Sequence, residues 1–345
     1  MTYDELKALS ELPLLLLVER AHAVHCRCRS FGKVQVCTLL SLKTGNCSED
    51  CAYCAQSARH HTGVVADKAL MPKEQVINRA MEAKAAGATR FCMGAAWRGV
   101  RLGDPRFDEV LDIVRAVRAL GLEVCATLGM LGEAEAEALR EAGLSAYNHN
   151  LDTSREYYPS IVTSHTYEDR LETIGHINKA GIKLCCGGII GLGESVQDRL
   201  RLLETVSSLD PQPESFPINA LITIPGTPMS RRRPDAPDAL ETVRMVALAR
   251  LALPHSHVRL SAGRERLSPE GQALCFYAGA DSLFLGERLL TAPNAAPEKD
   301  LELLRRLGLQ AELPDEPTSA PGTPLYSDDE PHPCFTPGPC SAPPQ

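Results

Sequence analysis

Three cysteines, Cys47, Cys51 and Cys54, lie within the stretch Lys43-Thr44-Gly45-Asn46-Cys47-Ser48-Glu49-Asp50-Cys51-Ala52-Tyr53-Cys54. Thiolates at this C-x₃-C-x₂-C spacing can wrap one corner of a cubic 4Fe–4S cluster. Such a cluster normally takes four cysteines, so a missing fourth leaves one iron open to a small molecule. The competing chemistry is a zinc site, which as a structural site needs four protein ligands. His60 and His61 stand close enough in the chain to complete one, but the spacing is not the usual C-x₂-C pair of zinc sites.

Further residues with chemical potential are dispersed. Cys92, Cys125 and Cys185 each sit inside or at the end of a β-like run, and Arg259 sits in another, Val258-Arg259-Leu260-Ser261. Singly, a buried cysteine is a small hydrophobe. Cys186 adjoins Cys185, and neighbours in a strand face opposite ways, so only one of the two can point inward. The glycines of Gly187-Gly188-Ile189-Ile190-Gly191-Leu192-Gly193-Glu194 favour Cys185 as the inward one. In Tyr147-Asn148-His149-Asn150-Leu151-Asp152, residues Asn148, Asn150 and Asp152 share one face if the chain is extended. Buried amides and acids are costly unless they bind something. Gly187, Gly188, Gly191 and Gly193 allow a ligand close to backbone amides. The remaining thiols, Cys26, Cys28, Cys37, Cys275, Cys334 and Cys340, are read as ordinary packing or as too isolated to assign.

The elements that position these residues alternate. β-like runs are expected at 34–42, 89–93, 123–128, 145–151, 183–187, 215–221, 257–261 and 281–285. Amphipathic helical stretches follow most of them, at 74–85, 107–120, 133–141, 167–180, 196–209, 240–253, 269–278 and 301–307. Glycine recurs where those helices end, as Gly87, Gly121, Gly143, Gly181 and Gly308. Eight strands alternating with eight helices predict a closed (β/α)₈ TIM-type barrel over residues 31–311. A Rossmann fold would want G-x-G-x-x-G after the first strand, where cysteines stand instead. Alternate residues of a barrel strand point inward, so Cys92, Cys125, Cys185 and Arg259 can all face the axis. A guanidinium there needs an anionic partner, and a metal–thiolate cluster is one.

Residues 1–30 read as an N-terminal helical extension. Residues 312–345 read as a disordered tail, because ten of the 25 prolines fall between Pro314 and Pro344. The net charge of −8 argues against general nucleic-acid binding, and no run of about 18 apolar residues suggests a membrane span. The start, Met1-Thr2-Tyr3-Asp4-Glu5, lacks a basic targeting region. A reducing, cytoplasmic compartment is therefore expected, and thirteen thiols there point to metal or redox chemistry.

With Tyr53 just before its last cysteine, the loop motif resembles that of the radical S-adenosylmethionine superfamily. The stretches 38–54, 90–97, 147–154, 187–194, 258–265 and 272–275 resemble the biotin synthase family over about residues 34–309. The resemblance implies a 4Fe–4S cluster on Cys47, Cys51 and Cys54, whose open iron chelates S-adenosylmethionine. One electron then cleaves that molecule to a 5′-deoxyadenosyl radical. It implies a 2Fe–2S cluster on Cys92, Cys125, Cys185 and Arg259, whose sulfide becomes the sulfur inserted into dethiobiotin, with one S-adenosylmethionine cleaved per C–H bond. By the same resemblance Tyr53 sits beside the adenine, Asn150 and Asp152 meet the ribose, and Arg170 pairs with the methionine carboxylate. Gly187, Gly188, Gly191 and Gly193 lie along the adenosyl group, and Asn148, Asn150 and Asn219 hold dethiobiotin, whose cyclic urea suits amides that both donate and accept. A homodimer and an electron-donating reductant protein complete the implied partners. The alternatives are another radical enzyme on the same barrel, or a zinc or non-catalytic iron–sulfur interaction protein. The first leaves the inward Cys92, Cys125 and Arg259 without a purpose. The second leaves the polar strand ends without one.

Overall fold

A computed structural model describes residues 1–286 and 288–312. The proline-rich tail, with Cys334 and Cys340, lies outside the described residues apart from Glu312. Eight parallel staves close into a barrel. They are β1 (Lys33–Lys43), β2 (Arg90–Ala95), β3 (Glu123–Thr127), β4 (Ala146–Asn148), the broken stave β5 (Lys183–Cys185) and β6 (Gly188–Ile190), β7 (Ser215–Ala220), β8 (His257–Leu260) and β9 (Ser282–Leu285). Neighbours pair in chain order and β9 pairs back onto β1, so the barrel leaves no free edge. A two-residue strand, Gln310–Ala311, adds beside the start of β1.

The fifth stave breaks because it runs against β7. A Cβ on Gly187 would lie 2.0 Å from the Pro217 carbonyl oxygen, and one on Gly188 would lie 2.3 Å from Leu202 Cδ2. The Cβ side of both glycines is filled by the chain's own strand and helix, which leaves their backbone side for a ligand. The run expected at 145–151 also shortens to β4, and Asp152 takes a left-handed φ of 66°. Asp152 is therefore not on an extended face with Asn148 and Asn150.

The N-terminal extension is two helices, α1 (Tyr3–Ser10) and α2 (Leu14–Cys28), because Pro13 cannot continue a helix begun before it. Both pack on a later helix, Ala239–Ala252, which is buried along nearly all its length. That helix is apolar all round because it is covered on both sides. Among the described residues no helix is long and apolar enough to cross a membrane.

The bottom of the barrel is sealed by Arg90, fully buried. It donates to Glu123 Oε2 at 2.7 and 3.0 Å and to Glu214 at 2.7 Å on both oxygens. Burial pushes the Glu214 carboxyl up, but Arg90 outweighs it and holds it well below the ordinary range. A depressed carboxylate contributes stability that is complete above its unfolded pKa and disappears as pH falls through the folded one. Arg90→Met strands the Glu214 carboxylate, while Glu123 keeps Lys183 Nζ at 2.9 Å, and we expect it to cost the apoprotein about 3–5 kcal/mol at pH 7. Urea unfolding at pH 7 and pH 4 checks this. The variant's deficit shrinks in acid, because the stranded Glu214 carboxylate then takes up a proton.

Candidate active site

The register of the staves places the strand-borne thiols, Asn148 and Arg259 on one side. In a parallel sheet, residues at matched positions point the same way. Cys92 is opposite Cys125, Cys125 opposite Ala146, Asn148 opposite Cys185, and Cys185 opposite Ser215. Pro217 is opposite Arg259, Arg259 opposite Ser282, and Ser282 opposite Gln35. This ring faces the barrel axis. Cys185 Sγ lies 3.3 Å from Asn148 Nδ2 and 3.5 Å from Arg259 Nη1. Cys186 instead packs in the hydrophobic layer outside the ring.

Arg259 is 1 % exposed. Its Nε donates to Ser282 Oγ at 2.8 Å, its Nη2 to Gln35 Oε1 at 2.8 Å, and its guanidinium lies 5.1 Å over the Phe284 ring. Burial opposes its charge, but the thiols of Cys37, Cys185 and Cys92 outweigh burial and raise its pKa further. The three buried cysteines Cys37, Cys92 and Cys125 form a separate cluster with Ala146. The Cys92 thiol is raised well above its ordinary value, first by its contact with Cys125.

The donor set fits an anionic iron–sulfur group. Thiols converge on a cation in a buried chamber, which is costly for either partner alone. Ser215 Oγ and Ser261 Oγ are buried without a hydrogen-bond partner. Ser215 is level with Cys185, and Ser261 lies two residues past Arg259 on the same side, so both hydroxyls point toward this chamber.

The loop triad sits at the C-terminal end of β1, where barrel enzymes keep their chemistry. Its fold is held by backbone bonds. Cys47 N–H donates to Gln56 O at 2.9 Å, Cys54 N–H to Cys51 O at 2.9 Å, and Ala52 N–H to Ile161 O at 2.8 Å. Asn46 enters the loop at a left-handed φ of 57°. Asp50 accepts from the backbone of Thr163 at 2.9 Å and of Ser164 at 3.0 Å. Burial raises the Cys54 thiol to about 11, with Cys47 among its neighbours, and Cys51 is raised by burial and then by Cys54. A cationic metal must therefore stabilise the thiolates. His60 does not complete a zinc site with them, since its Nε2 meets the Cys51 carbonyl at 3.1 Å. Among the described residues no three His, Cys, Asp or Glu side chains converge as ligands of a single metal ion.

Between the two thiol groups lies a polar wall. Tyr53 donates its hydroxyl to Asp152 Oδ2 at 2.6 Å, and Arg170 Nη2 approaches the same oxygen at 3.8 Å. Burial pushes Asp152 up, and Arg170 and Tyr53 offset this only in part. Arg170 stands in the first turn of the helix Tyr167–Lys179, whose start is fixed by a Thr166–Asp169 capping box. Its Nε donates to the Tyr158 hydroxyl at 3.0 Å, which meets His165 Nε2 at 2.8 Å; His165 Nδ1 meets Glu49 at 2.5 Å. Asn148 Nδ2 donates to Asn150 Oδ1 at 3.1 Å, and Gly187 N–H donates to that same oxygen at 3.1 Å. Asn219 bridges Gly188 O at 3.1 Å and Ala262 N–H at 3.3 Å. Gly191 and Gly193 turn the chain just after β6 at φ of 89° and 93°.

Sequence reasoning missed Cys37, Gln35, Ser282 and the Glu49–His165–Tyr158 support. The first was findable, since Gln35, Cys37 and Leu39 alternate along the first strand as Arg90, Cys92 and Gly94 do along the second.

The sequence profile of the Radical SAM superfamily matches residues 41–206, and that of the Biotin and Thiamin Synthesis associated domain matches residues 217–310. A protein of Myxococcus xanthus named biotin synthase is 55% identical over 307 residues, covering 89% of this chain and 88% of its own. The mitochondrial biotin synthase of Arabidopsis thaliana is 50% identical over 327 residues, covering 95% of this chain and 83% of its own. Among solved structures, methylornithine synthase superposes with a TM-score of 0.75 at 18% identity, over 90% of this chain and 94% of that one. The hydrogenase maturase HydG superposes with a TM-score of 0.73 at 16% identity, over 90% and 72%. These two likenesses speak to the barrel alone.

Proposed function

The chain belongs to the biotin synthase family, and on that footing we propose that its two groups of thiols divide the work of placing a sulfur atom into dethiobiotin. The chain is a radical S-adenosylmethionine enzyme that works with a 4Fe–4S cluster and a 2Fe–2S cluster. When bound, these groups supply the electron that cleaves S-adenosylmethionine and the sulfide that becomes the new sulfur.

The protein's own part is to hold, aim and exclude water. Cys47, Cys51 and Cys54 hold the outer cluster, and Cys92, Cys125, Cys185 and Arg259 the inner one. Arg170 offers a fork to the methionine carboxylate, while Asp152 and Asn150 face the ribose and Tyr53 lies beside the adenine. Gly187, Gly188, Gly191 and Gly193 line the adenosyl side. Asn148, Asn150 and Asn219 give donor and acceptor pairs to the cyclic urea of dethiobiotin. The observation that carries this reading is the inward ring of Cys92, Cys125, Cys185 and Arg259, joined to Asn148 of the polar wall through Cys185. An electron-donating reductant protein and a homodimer rest on the family resemblance.

Anaerobic reconstitution followed by product analysis tests it. Biotin together with two 5′-deoxyadenosines per biotin supports the reading. Deoxyadenosine without biotin points to a different radical reaction, and zinc without sulfide overturns both clusters. Within the site, Arg170→Met removes the fork and leaves Asp152 buried beside a gap. We expect the affinity for S-adenosylmethionine to fall about tenfold or more, by equilibrium binding to the reconstituted protein.

A further inference from the structure

Four thiols, not three, reach the inner chamber. Cys37 is fully buried, and its register opposite Arg90 and Phe284 turns it inward. It packs in one buried cluster with Cys92 and Cys125. It also shares both polar partners of Arg259. Its Sγ lies 3.5 Å from Gln35 Oε1 and 4.0 Å from Ser282 Oγ, the same atoms that accept from the guanidinium. Cys37 and Arg259 therefore occupy one corner of the chamber.

We propose that Cys37 is a reserve ligand for the inner cluster, placed to bind iron at the corner held by Arg259. The chemistry favours a thiolate there. A 2Fe–2S cluster ordinarily takes four cysteines, whereas a guanidinium has no free lone pair until it loses a proton. Two of its three nitrogens already donate to Ser282 and Gln35, which leaves Nη1 for the chamber. In the exchange a sulfur–iron bond forms and a nitrogen–iron bond breaks. The proton that Cys37 gives up passes to the released Arg259 nitrogen, and no electron moves. A chamber that surrenders a sulfide in turnover has a use for one more thiolate to retain its iron. This inference rests on the assignment of Cys92, Cys125 and Cys185 as the other ligands.

The test compares Arg259→Met with Cys37→Ala/Arg259→Met after anaerobic reconstitution. Iron, acid-labile sulfide and the Mössbauer spectrum are the readouts, and the outer cluster serves as the folding control in each variant. Arg259→Met is expected to keep its inner cluster with a spectrum shifted to the four-thiolate type. The double variant is expected to lose about tenfold or more of its inner iron, the scale of affinity lost when metal support is removed. Equal retention in both, or loss in Arg259→Met alone, overturns the proposal. Arg259→Lys with and without Cys37→Ala repeats the comparison while keeping a cation for Gln35 and Ser282. Cys92→Ala is the separate control. If it keeps the inner cluster, the underlying ligand assignment fails rather than the role of Cys37.

Discussion

Replacing Cys92 with alanine is expected to abolish biotin formation while 5′-deoxyadenosine continues to form. Cys92 is 4 % exposed in the inner ring, level with Cys125, and has no contact with the loop of Cys47, Cys51 and Cys54 among its described interactions. Removing its thiol takes a donor from the inner group and leaves the outer one intact. The radical-forming half then survives without a sulfur donor. Biotin is expected to fall about 10³-fold or more, since the group carrying the difficult chemistry is no longer assembled. Deoxyadenosine, by chromatography of the same reactions, is expected to stay within about threefold of the parent, a change of under 1 kcal/mol in barrier. Loss of both products together would show that the two thiol groups are not separable.

Cys51→Ala is the complementary case, with both products lost. Cys51 lies between Cys47 and Cys54 in a loop tied to Ile161 and Gln56 through its neighbours' backbone. Its thiol is buried and raised, so only a metal keeps it ionised. Without it the outer cluster has two donors and S-adenosylmethionine has no open iron to bind. Deoxyadenosine and biotin are each expected to drop about 10³-fold or more. The inner pair of irons, counted by Mössbauer spectroscopy, is expected to remain. A variant that still cleaves S-adenosylmethionine would remove the loop from the mechanism.

The pattern of the chain carried much of this. Alternating strands and helices of the right number predict a closed barrel, because each stave needs a helix to cover its outer face. The C-x₃-C-x₂-C loop is local, so its three thiols are brought together by a few residues of chain whatever the rest does. Strand alternation likewise settles which of Cys185 and Cys186 turns inward once the strand is in place, since the period of two is a property of the backbone.

Other facts belong to the assembled molecule. Arg259 is one arginine among many until the barrel closes and sets it against Cys185, Gln35 and Ser282, which stand 74, 224 and 23 residues away along the chain. Strand alternation could have turned Cys37 inward, but its partner Ser282 comes from β9, and that pairing exists only after the ends of the sheet meet. Gly187 and Gly188 show the same limit, for the packing of Pro217 and Leu202 against their Cβ side is not contained in one dimension. Short-range order follows from spacing along the chain. Which distant groups share a buried chamber follows from closure of the sheet, where the energy of each charge depends on neighbours that the linear order does not contain.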